Sequence, residues 1–423
     1  MKQFRIFLCL LAISFAACGS DDTPEPTPTP VPPTGKLDRT VLVYMAGDNN
    51  LSTLGSLQRD LEELKKGSQS FNTNQSLMVY VNEKGKTPYY ARILNGALTD
   101  SVALAVNPSS DPAVLEEALR YMCENYAAKS YGLSLWGHAK GWLFDNDSIV
   151  YAKTRAYAYD ESTSPDTWMN IPSLARAIKN GMNSEKLSFI LGDCCEFGCV
   201  EVAYELRNVT DYVIGSPAEI PDEGYDYANL AGYYDTGGTF YQKIIDQYWE
   251  RYFTAAVANK YYINDPGDLT GYGVPLVAVK TSELENLAAA TAALLKTIPD
   301  KLSPTGTLDL SEVIFYAYSN SAKGNYDMYK TLKMNTAAAD FKVWEAAFDK
   351  AVPYYRSSAR WKSIFTTLST AMLKQFDAIS NDSHVLAMFF PLTYYNNKTN
   401  PNWNTAIQKL QWNGPINWQQ YGW

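Results

Sequence analysis

The stretch Leu187–Arg207 constrains the fold more than any other part of this chain. An apolar run, Leu187–Leu191, ends at a Gly-Asp-Cys-Cys corner, and apolar residues then recur four positions apart. That order predicts a strand, a turn and a helix. Functional groups of α/β sheets lie just beyond the carboxyl ends of strands, where this corner places Cys195. The amide dipoles of the following helix would favour a thiolate there. The alternative is that the cysteine simply fills the core.

Strand and helix patterns alternate along the rest of the chain. Arg39–Ala46 is a β-branched run before a Gly-Asp-Asn-Asn turn, and leucines then recur at helical spacing. The same reasoning predicts strands and helices, in chain order, at 77–81, 89–94, 112–125 (helix), 131–136, 171–180 (helix) and 212–215, with a long loop at 145–164. This order predicts an α/β fold with a mostly parallel central sheet flanked by helices.

The second half gives a weaker pattern of the same kind. It predicts helices at 240–258 and 282–296 and strands at 274–279 and 385–390. We expect a C-terminal α/β extension, either as an addition to the same sheet or as a closely packed subdomain.

The N-terminus predicts export. A basic start precedes an apolar stretch that is too short to span a bilayer and that ends in small residues before Cys18. Residues 15–18 resemble a bacterial lipoprotein box, which implies cleavage after residue 17 and acylation of the Cys18 thiol. An ordinary secretory signal is the alternative. The Gly-Ser-Asp-Asp that follows resembles the acidic surface-export tag of Bacteroidota lipoproteins.

These features divide the chain into four parts. Residues 1–17 are the expected signal peptide, and the acidic, Pro/Thr-rich residues 18–35 are a stiff tether. Residues 36–240 form the expected core, and 241–423 the C-terminal subdomain. We therefore expect an extracytoplasmic, surface-exposed lipoprotein of the outer membrane, held to the membrane by the lipid on Cys18.

Charge and cysteine content exclude some function classes. The formal net charge is -9 and no basic block is present, so we do not expect nucleic acid as a partner. Three of the four cysteines outside the signal and lipid site lie within 194–199, too close together for a cross-linking framework. Their spacing lacks the paired knuckles of a structural zinc site, so no metal site is expected.

The chain has only two histidines, so a mechanism that needs imidazole must use His138 or His384. His138 follows a predicted strand at the same sheet edge as Cys195, whereas His384 precedes an apolar strand. A thiol and an imidazole at neighbouring strand ends suit nucleophilic acyl transfer. The backbone N–H groups of Ala139 and Cys195 are candidates for holding the oxyanion. Considered without the cysteine, His138 is better explained as a hydrogen-bonded strand-end residue.

Several ordered motifs together resemble the clostripain family of cysteine peptidases. The similar segments are an opening strand and turn, a His motif, a Cys motif, one further segment and a fainter match near the C-terminus: Thr40–Leu51, Tyr131–Trp142, Leu187–Arg207, Ile214–Tyr227 and Ser383–Pro391. The resemblance implies a caspase-like α/β fold. It also implies an endopeptidase that cleaves polypeptides after Arg or Lys, with His138 and Cys195 as its dyad.

The resemblance further implies an acidic specificity pocket. Asp193, at the Asp-x-Cys position, would help to place negative charge there, and a carboxylate binds guanidinium well. The alternative, equally open, is that Asp193 orders the turn by accepting hydrogen bonds from backbone amides. Glu219, Asp222 and Glu223 are further pocket candidates, each of which is also compatible with plain surface charge.

Three departures from the family pattern keep other functions open. Ala139 stands where Gly is usual and restricts the backbone after the histidine. Cys194 stands where Ala is common, and alternation along a strand means that Cys194 and Cys195 cannot face the same way. Glu196 is a carboxylate that would raise the pKa of the thiol beside it. The alternative function is that of a catalytically weak or inactive lipoprotein that uses the fold as a binding surface. A third, less favoured hypothesis is a redox or metal site formed by the clustered cysteines.

Family resemblance also bears on maturation and cofactors. Members often mature by cutting the segment between the His and Cys strands, which makes self-cleavage after Lys153 or Arg155 a hypothesis. The sequence requires no cofactor. Some relatives use calcium, but the sequence shows no calcium loop.

Overall fold

A computed structural model describes residues 36–143, 157–164, 166–253, 272–319, 322–357, 360–361, 383–396 and 402–423. Its strands, β1 to β16 in chain order, are Arg39–Gly47, Gln75–Glu83, Tyr89–Leu94, Ala97–Ala103, Tyr131–Gly137, Tyr157–Asp160, Thr167–Met169, Phe189–Asp193, Tyr212–Gly215, Tyr272–Gly273, Leu276–Lys280, Phe315–Ser319, Ala322–Asp327, Tyr354–Arg356, Arg360–Trp361 and Ala387–Met388. Its α-helices, α1 to α13 in chain order, are Asn50–Thr53, Ser56–Ser68, Pro112–Asn125, Ile171–Gly181, Val200–Leu206, Ala231–Tyr234, Phe240–Phe253, Leu284–Leu295, Pro299–Leu302, Met328–Asn335, Ala338–Ala351, Trp403–Ala406 and Asn413–Ile416.

Nine of these strands form one central sheet, in the order β14, β11, β9, β8, β5, β1, β2, β3, β4. The five consecutive strands from β9 to β2 run parallel, and antiparallel strands extend both edges. A parallel strand in the middle of such a sheet is covered on both faces, which explains why β1 is buried along its whole length and apolar from Val41 to Ala46. The predicted α/β fold with a large central sheet is confirmed; the sheet is mixed, with the parallel strands in its middle.

Helices cover both faces of the sheet. Leu42 and Tyr44 of β1 belong to a core that also takes in apolar residues of α3, α4 and α5. The alternate residues Val41 and Val43 belong to a second core with apolar residues of α2 and α7. Successive side chains of a strand point to opposite faces of the sheet. The apolar residues of one strand therefore pack alternately against the two layers of helices.

The C-terminal half adds to the same sheet. β11 pairs antiparallel with β9, and β14 pairs with β11. The strand predicted at 385–390 is shorter, with β16 at Ala387–Met388 pairing with β13 in a separate small sheet. It is joined to the Cys-bearing region by a bridge from Ala387 to Cys199 and by Phe389 N–H, which donates to Glu201 Oε1 at 2.7 Å.

The prediction of a loop over 145–164 is partly wrong, because Tyr157–Asp160 forms β6. That strand pairs with β7 and also makes a single bridge between Tyr157 and Ala139. Its four residues carry a buried Asp160 whose carboxylate accepts hydrogen bonds from the backbone N–H groups of Ser109 and Ser110. Such a strand is stabilised by contacts distant in sequence, so no apolar period marks it.

Several predictions lie outside the described residues. These are the signal peptide, the tether with Cys18, and the two self-cleavage candidates Lys153 and Arg155. Within the part of the chain that the structure describes, no helix has both the length and the apolar character needed to cross a bilayer.

Glu201→Gln is expected to stabilise the protein at alkaline pH. Burial raises the pKa of Glu201 from 4.5 to about 8, so the unfolded chain loses this proton at lower pH than the folded chain does. The contribution of Glu201 to stability is therefore full below about pH 4.5 and is lost as pH rises to about 8. Glutamine keeps an oxygen for the Phe389 N–H and has no proton to lose.

Urea unfolding of both proteins at about pH 5 and about pH 8.5 checks this expectation. The advantage of the variant should grow from almost nothing to a few kcal/mol between the two pH values. The same pH dependence in variant and parent would contradict it.

Candidate active site

Cys195 and His138 follow two neighbouring strands of the central sheet. β5 and β8 are parallel, and their last paired residues are Trp136 and Asp193. His138 and Cys195 each lie two residues beyond that pair on their own strands. Because parallel strands of matched register end at one edge of a sheet, the two residues emerge there from adjacent positions.

The loops that follow these strands also touch each other. Gly141 has φ of +57°, and a Cβ atom there would lie 2.7 Å from Glu196 O and 3.4 Å from Cys199 Sγ. Only glycine tolerates both that backbone angle and that close approach. The His138 loop is therefore packed directly on the loop that carries Cys195.

Cys195 is half-buried, and its Sγ accepts a hydrogen bond from Ile220 N–H at 3.5 Å. The helix that follows, α5, begins only at Val200, and dipole effects fade within a helix's first turn. Cys195 is therefore not part of the first turn of this helix, and the expectation that the helix favours the thiolate stays a prediction. Burial, followed by the charge of Glu219, raises the pKa of the Cys195 thiol to about 12, so the resting thiol is neutral.

The neighbouring cysteines are placed differently. Cys194 is 1% exposed and belongs to the apolar core on one face of the sheet. Cys195 is partly exposed, so the two neighbouring thiols differ in burial. Both lie beyond the last residue of β8, and that they face opposite ways stays a prediction. Cys199 is also buried, and Cys123 lies on α3. All four of these cysteines in the described residues are free thiols.

Glu196, directly after the thiol, occupies a strained position. Its φ is +58° although it is not glycine, a conformation that costs about 1–3 kcal/mol. Its N–H donates to Ala218 O at 2.9 Å, which helps to hold the turn. Burial raises the pKa of Glu196 to about 7, against the opposing charge of Lys140. Glu196 in turn helps to raise the pKa of Cys195, as predicted.

Ala139 fits its place without strain. It is not among the described residues with positive φ, so its methyl group meets no left-handed backbone. Ala158 N–H donates to His138 O at 3.1 Å and Ala139 bridges to Tyr157. In an antiparallel pair bonded through its flanking residues, the N–H of the middle residue points away from the partner. The Ala139 N–H therefore points away from β6.

His138 is half-buried, and two side chains restrict its ring. Its Nε2 lies 2.7 Å from Oδ1 of Asn50, the first residue of α1. Tyr159 approaches the ring edge-on, with centroids 6.2 Å apart, and is itself stacked on Trp168. Sequence analysis missed Asn50 as a site residue. The signal that points to it is the Gly-Asp-Asn-Asn turn, because β1 ends beside β5 at the same sheet edge.

His384 lies in a different environment. Its ring stacks on Tyr329 with centroids 3.5 Å apart, and its backbone N–H donates to Asp327 Oδ2 at 3.1 Å.

Asp193 is buried, and its carboxylate accepts several hydrogen bonds. Tyr225 N–H donates to both oxygens at 3.0 and 3.1 Å, Tyr227 OH donates at 2.8 Å and Tyr248 OH at 2.6 Å. Burial has the largest effect on the pKa of Asp193 and raises it. These contacts fit the alternative in which Asp193 orders the turn, here the loop that carries Tyr225 and Tyr227.

Arg59 of α2 lies against two of the other acidic pocket candidates. Its Nη1 is 3.6 Å from Asp222 Oδ2 and 3.9 Å from Glu223 Oε1, and Ser56 Oγ donates to Asp222 at 2.7 Å. Glu219 is half-buried and is the charge that most raises the pKa of Cys195. Glu219 is therefore the candidate acid that acts most strongly on the thiol. Among the described residues, no group of three His, Cys, Asp or Glu is arranged to hold a metal ion.

Gly141→Ala is expected to separate the two loops and to slow reaction of Cys195 with iodoacetamide by about tenfold or more, in line with the sensitivity of such sites to ~1 Å displacements. Gly85→Ala is the matched control, because Gly85 also has positive φ (+76°) but a Cβ there meets no atom within 4 Å. The control carries only the backbone cost of about 1 kcal/mol. Equal labelling rates in the two variants would contradict the loop contact.

Comparison with known proteins adds family and fold relationships. The model of the clostripain family matches residues 43–423. A secreted C11 cysteine protease from Bacteroides thetaiotaomicron, solved in complex with an irreversible peptide inhibitor, is 26% identical with a TM-score of 0.71, over 90% of this chain and 99% of that chain. An inactive zymogen C11 protease from Parabacteroides distasonis, 24% identical with a TM-score of 0.65 over 91% of this chain and 99% of that chain, shares the fold.

Clostripain from Hathewaya histolytica is 22% identical over 232 residues, which is 47% of this chain. The match spans 42% of the length of that relative, so less than half of it is represented here.

Proposed function

Because this chain belongs to the clostripain family, we propose that it is a cysteine endopeptidase that cleaves after Arg or Lys, with Cys195 as nucleophile and His138 as general acid and base. The observation that carries this proposal is the matched exit of both residues from the paired strands β5 and β8. The similar protease from Bacteroides thetaiotaomicron, bound to an irreversible peptide inhibitor, supports peptides as the substrate class.

The neutral resting thiol determines how the reaction begins. With the pKa of Cys195 raised to about 12, its proton must move to His138 as Sγ attacks the scissile carbonyl carbon. The new C–S bond pushes the carbonyl electron pair onto oxygen, where the N–H groups of Ala139 and Cys195 stabilise it. Collapse breaks the C–N bond, and the imidazolium gives its proton to the leaving amine.

The second half of the reaction regenerates the thiol. His138 takes a proton from water, the hydroxide attacks the thioester carbon, and the C–S bond breaks with return of that proton to Sγ. These steps use only groups of this chain. Calcium dependence is implied by family resemblance alone, and a chelator added to the assay tests it.

Glu219 is the acid that we assign to recognition of the basic side chain. Asp222 and Glu223 already face Arg59, whereas Glu219 acts on the thiol more than any other charge. A guanidinium bound at Glu219 would neutralise that charge and so lower the pKa of Cys195. A basic substrate would then help to activate the nucleophile that attacks it. Asp193 adds buried negative charge and orders the pocket wall.

We also propose how the protein is processed and where it acts. Self-cleavage after Lys153 or Arg155 would open the segment between the His and Cys strands. If residues 1–18 act as a lipoprotein signal, the protein acts outside the cytoplasm, anchored in the outer membrane by acylated Cys18; the similar secreted protease from Bacteroides thetaiotaomicron supports export.

A panel of fluorogenic peptides with Arg, Lys, Asp or Leu before the cut tests this function. We expect turnover of the Arg and Lys peptides, and its loss in Cys195→Ala and His138→Ala. Cys194→Ala, the change to the residue common in the family, is the matched control that should keep activity. Absence of turnover under reducing conditions, together with specific binding of a host or glycan ligand, would favour the non-catalytic alternative.

The same panel separates recognition from thiol chemistry. Glu219→Gln should lower kcat/KM for the Arg peptide by about tenfold or more, the scale of one charge-assisted hydrogen bond. It should also speed alkylation by neutral iodoacetamide, because a charge that raises the thiol pKa is gone. Glu196→Gln should speed alkylation without changing the preference for Arg. Unchanged preference in Glu219→Gln would contradict the assignment.

A further inference from the structure

We propose that Asn50 is a positioning residue that fixes the tautomer and orientation of His138. The inference rests on the proposed peptidase chemistry and starts from the 2.7 Å contact between His138 Nε2 and Asn50 Oδ1. An amide oxygen only accepts hydrogen bonds, so Nε2 donates and carries the proton. In the neutral ring the lone pair then lies on Nδ1, which becomes the nitrogen that takes the thiol proton.

The turn that carries Asn50 is firmly anchored. The preceding Asn49 is fully buried, and its Oδ1 accepts from Leu51 N–H at 3.0 Å. Its Nδ2 donates to Ala46 O at 3.0 Å and to Tyr159 O at 2.9 Å. Asn49 thus fastens the turn to the end of β1 and to β6, and Asn50 is presented to His138 from a fixed backbone.

The sheet order explains why this residue is in reach. β8, β5 and β1 are consecutive parallel strands. Their carboxyl ends supply Cys195, His138 and Asn50 in that spatial order. The histidine therefore lies between a nucleophile from one neighbouring strand and an acceptor from the other. This is the general arrangement of nucleophile, base and orienting group.

A neutral acceptor suits the state of this thiol. A carboxylate at the same place would favour the charged imidazolium and reduce the fraction of His138 able to accept a proton. Because Cys195 holds its proton at rest, catalysis needs a neutral ring. Asn50 orients the ring without adding a negative charge.

Kinetics give the first test. Asn50→Ala should lower kcat for the Arg peptide by about 10–100-fold, the scale expected for a misplaced catalytic group, with KM changed by less than about twofold. Asn50→Asp keeps an acceptor oxygen and should recover part of that loss. Leu54→Ala, which truncates a side chain that is 65% exposed at the end of the same helix, is the matched control and should keep the parent kcat. Parent-like kcat in Asn50→Ala would overturn the proposal.

NMR gives a readout that a purely structural role would not change. The protein is labelled with ¹⁵N and carries no polyhistidine tag. Long-range ¹H–¹⁵N spectra then report the tautomers of His138 and His384 directly. His138 should be the Nε2–H form in the parent and a mixture in Asn50→Ala, while His384 should stay unchanged. His138→Ala assigns the signals. An Nδ1–H form in the parent, or no change in the variant, would overturn the proposal.

Failure of this inference is distinguishable from failure of the proposed function. Loss of activity in Cys195→Ala and His138→Ala, with full activity in Asn50→Ala, would refute the positioning role alone. Activity retained in Cys195→Ala would refute the peptidase mechanism itself.

Discussion

The parallel pairing of β5 with β8 is the constraint on which the rest of the site depends. Backbone hydrogen bonds fix Trp136 opposite Asp193, and a shift of the register by one residue would turn alternate side chains to the other face of the sheet. The apolar cores on both faces resist that shift, because each strand divides its side chains between them. The same strand pairing therefore stabilises the sheet and aligns the residues of the site.

The turn after β8 is locally strained and leaves the Cys195 thiol partly exposed. Glu196 adopts a left-handed backbone angle, and Gly141 comes so close to it that no side chain fits between the loops. Strain of this kind persists where the surrounding structure leaves no alternative, and it is commonly found at functional sites. Here it separates a buried Cys194 from a half-buried Cys195 within two consecutive residues.

The surroundings of Cys195 favour the protonated thiol. Burial and two acids hold the Cys195 proton, and Lys140 only partly opposes them. Arg59 already pairs with the acids on the far part of the loop. In this proposal, a cation brought by the substrate binds at Glu219 and offsets its charge. Binding of the basic side chain at Glu219 would then also activate the Cys195 thiol.

Local sequence patterns predict most of the fold but fewer of the contacts in the site. Continuous apolar runs, such as Val41–Ala46 in β1, depend on neighbours in sequence, so they were predictable. The late start of α5, the strand β6 and the side-chain pairs Arg59–Asp222 and Asn50–His138 depend on residues far apart in the chain. Periodicity contains no information on such pairs.

The roles of Cys195, His138 and Glu219 can be tested together by a crystal structure of the protein inactivated with an arginyl chloromethyl ketone. We expect a covalent bond to Cys195 Sγ, the His138 ring within hydrogen-bond distance of the adduct and the guanidinium on Glu219. An adduct on Cys194, or a His138 ring that faces away from the adduct, would contradict it.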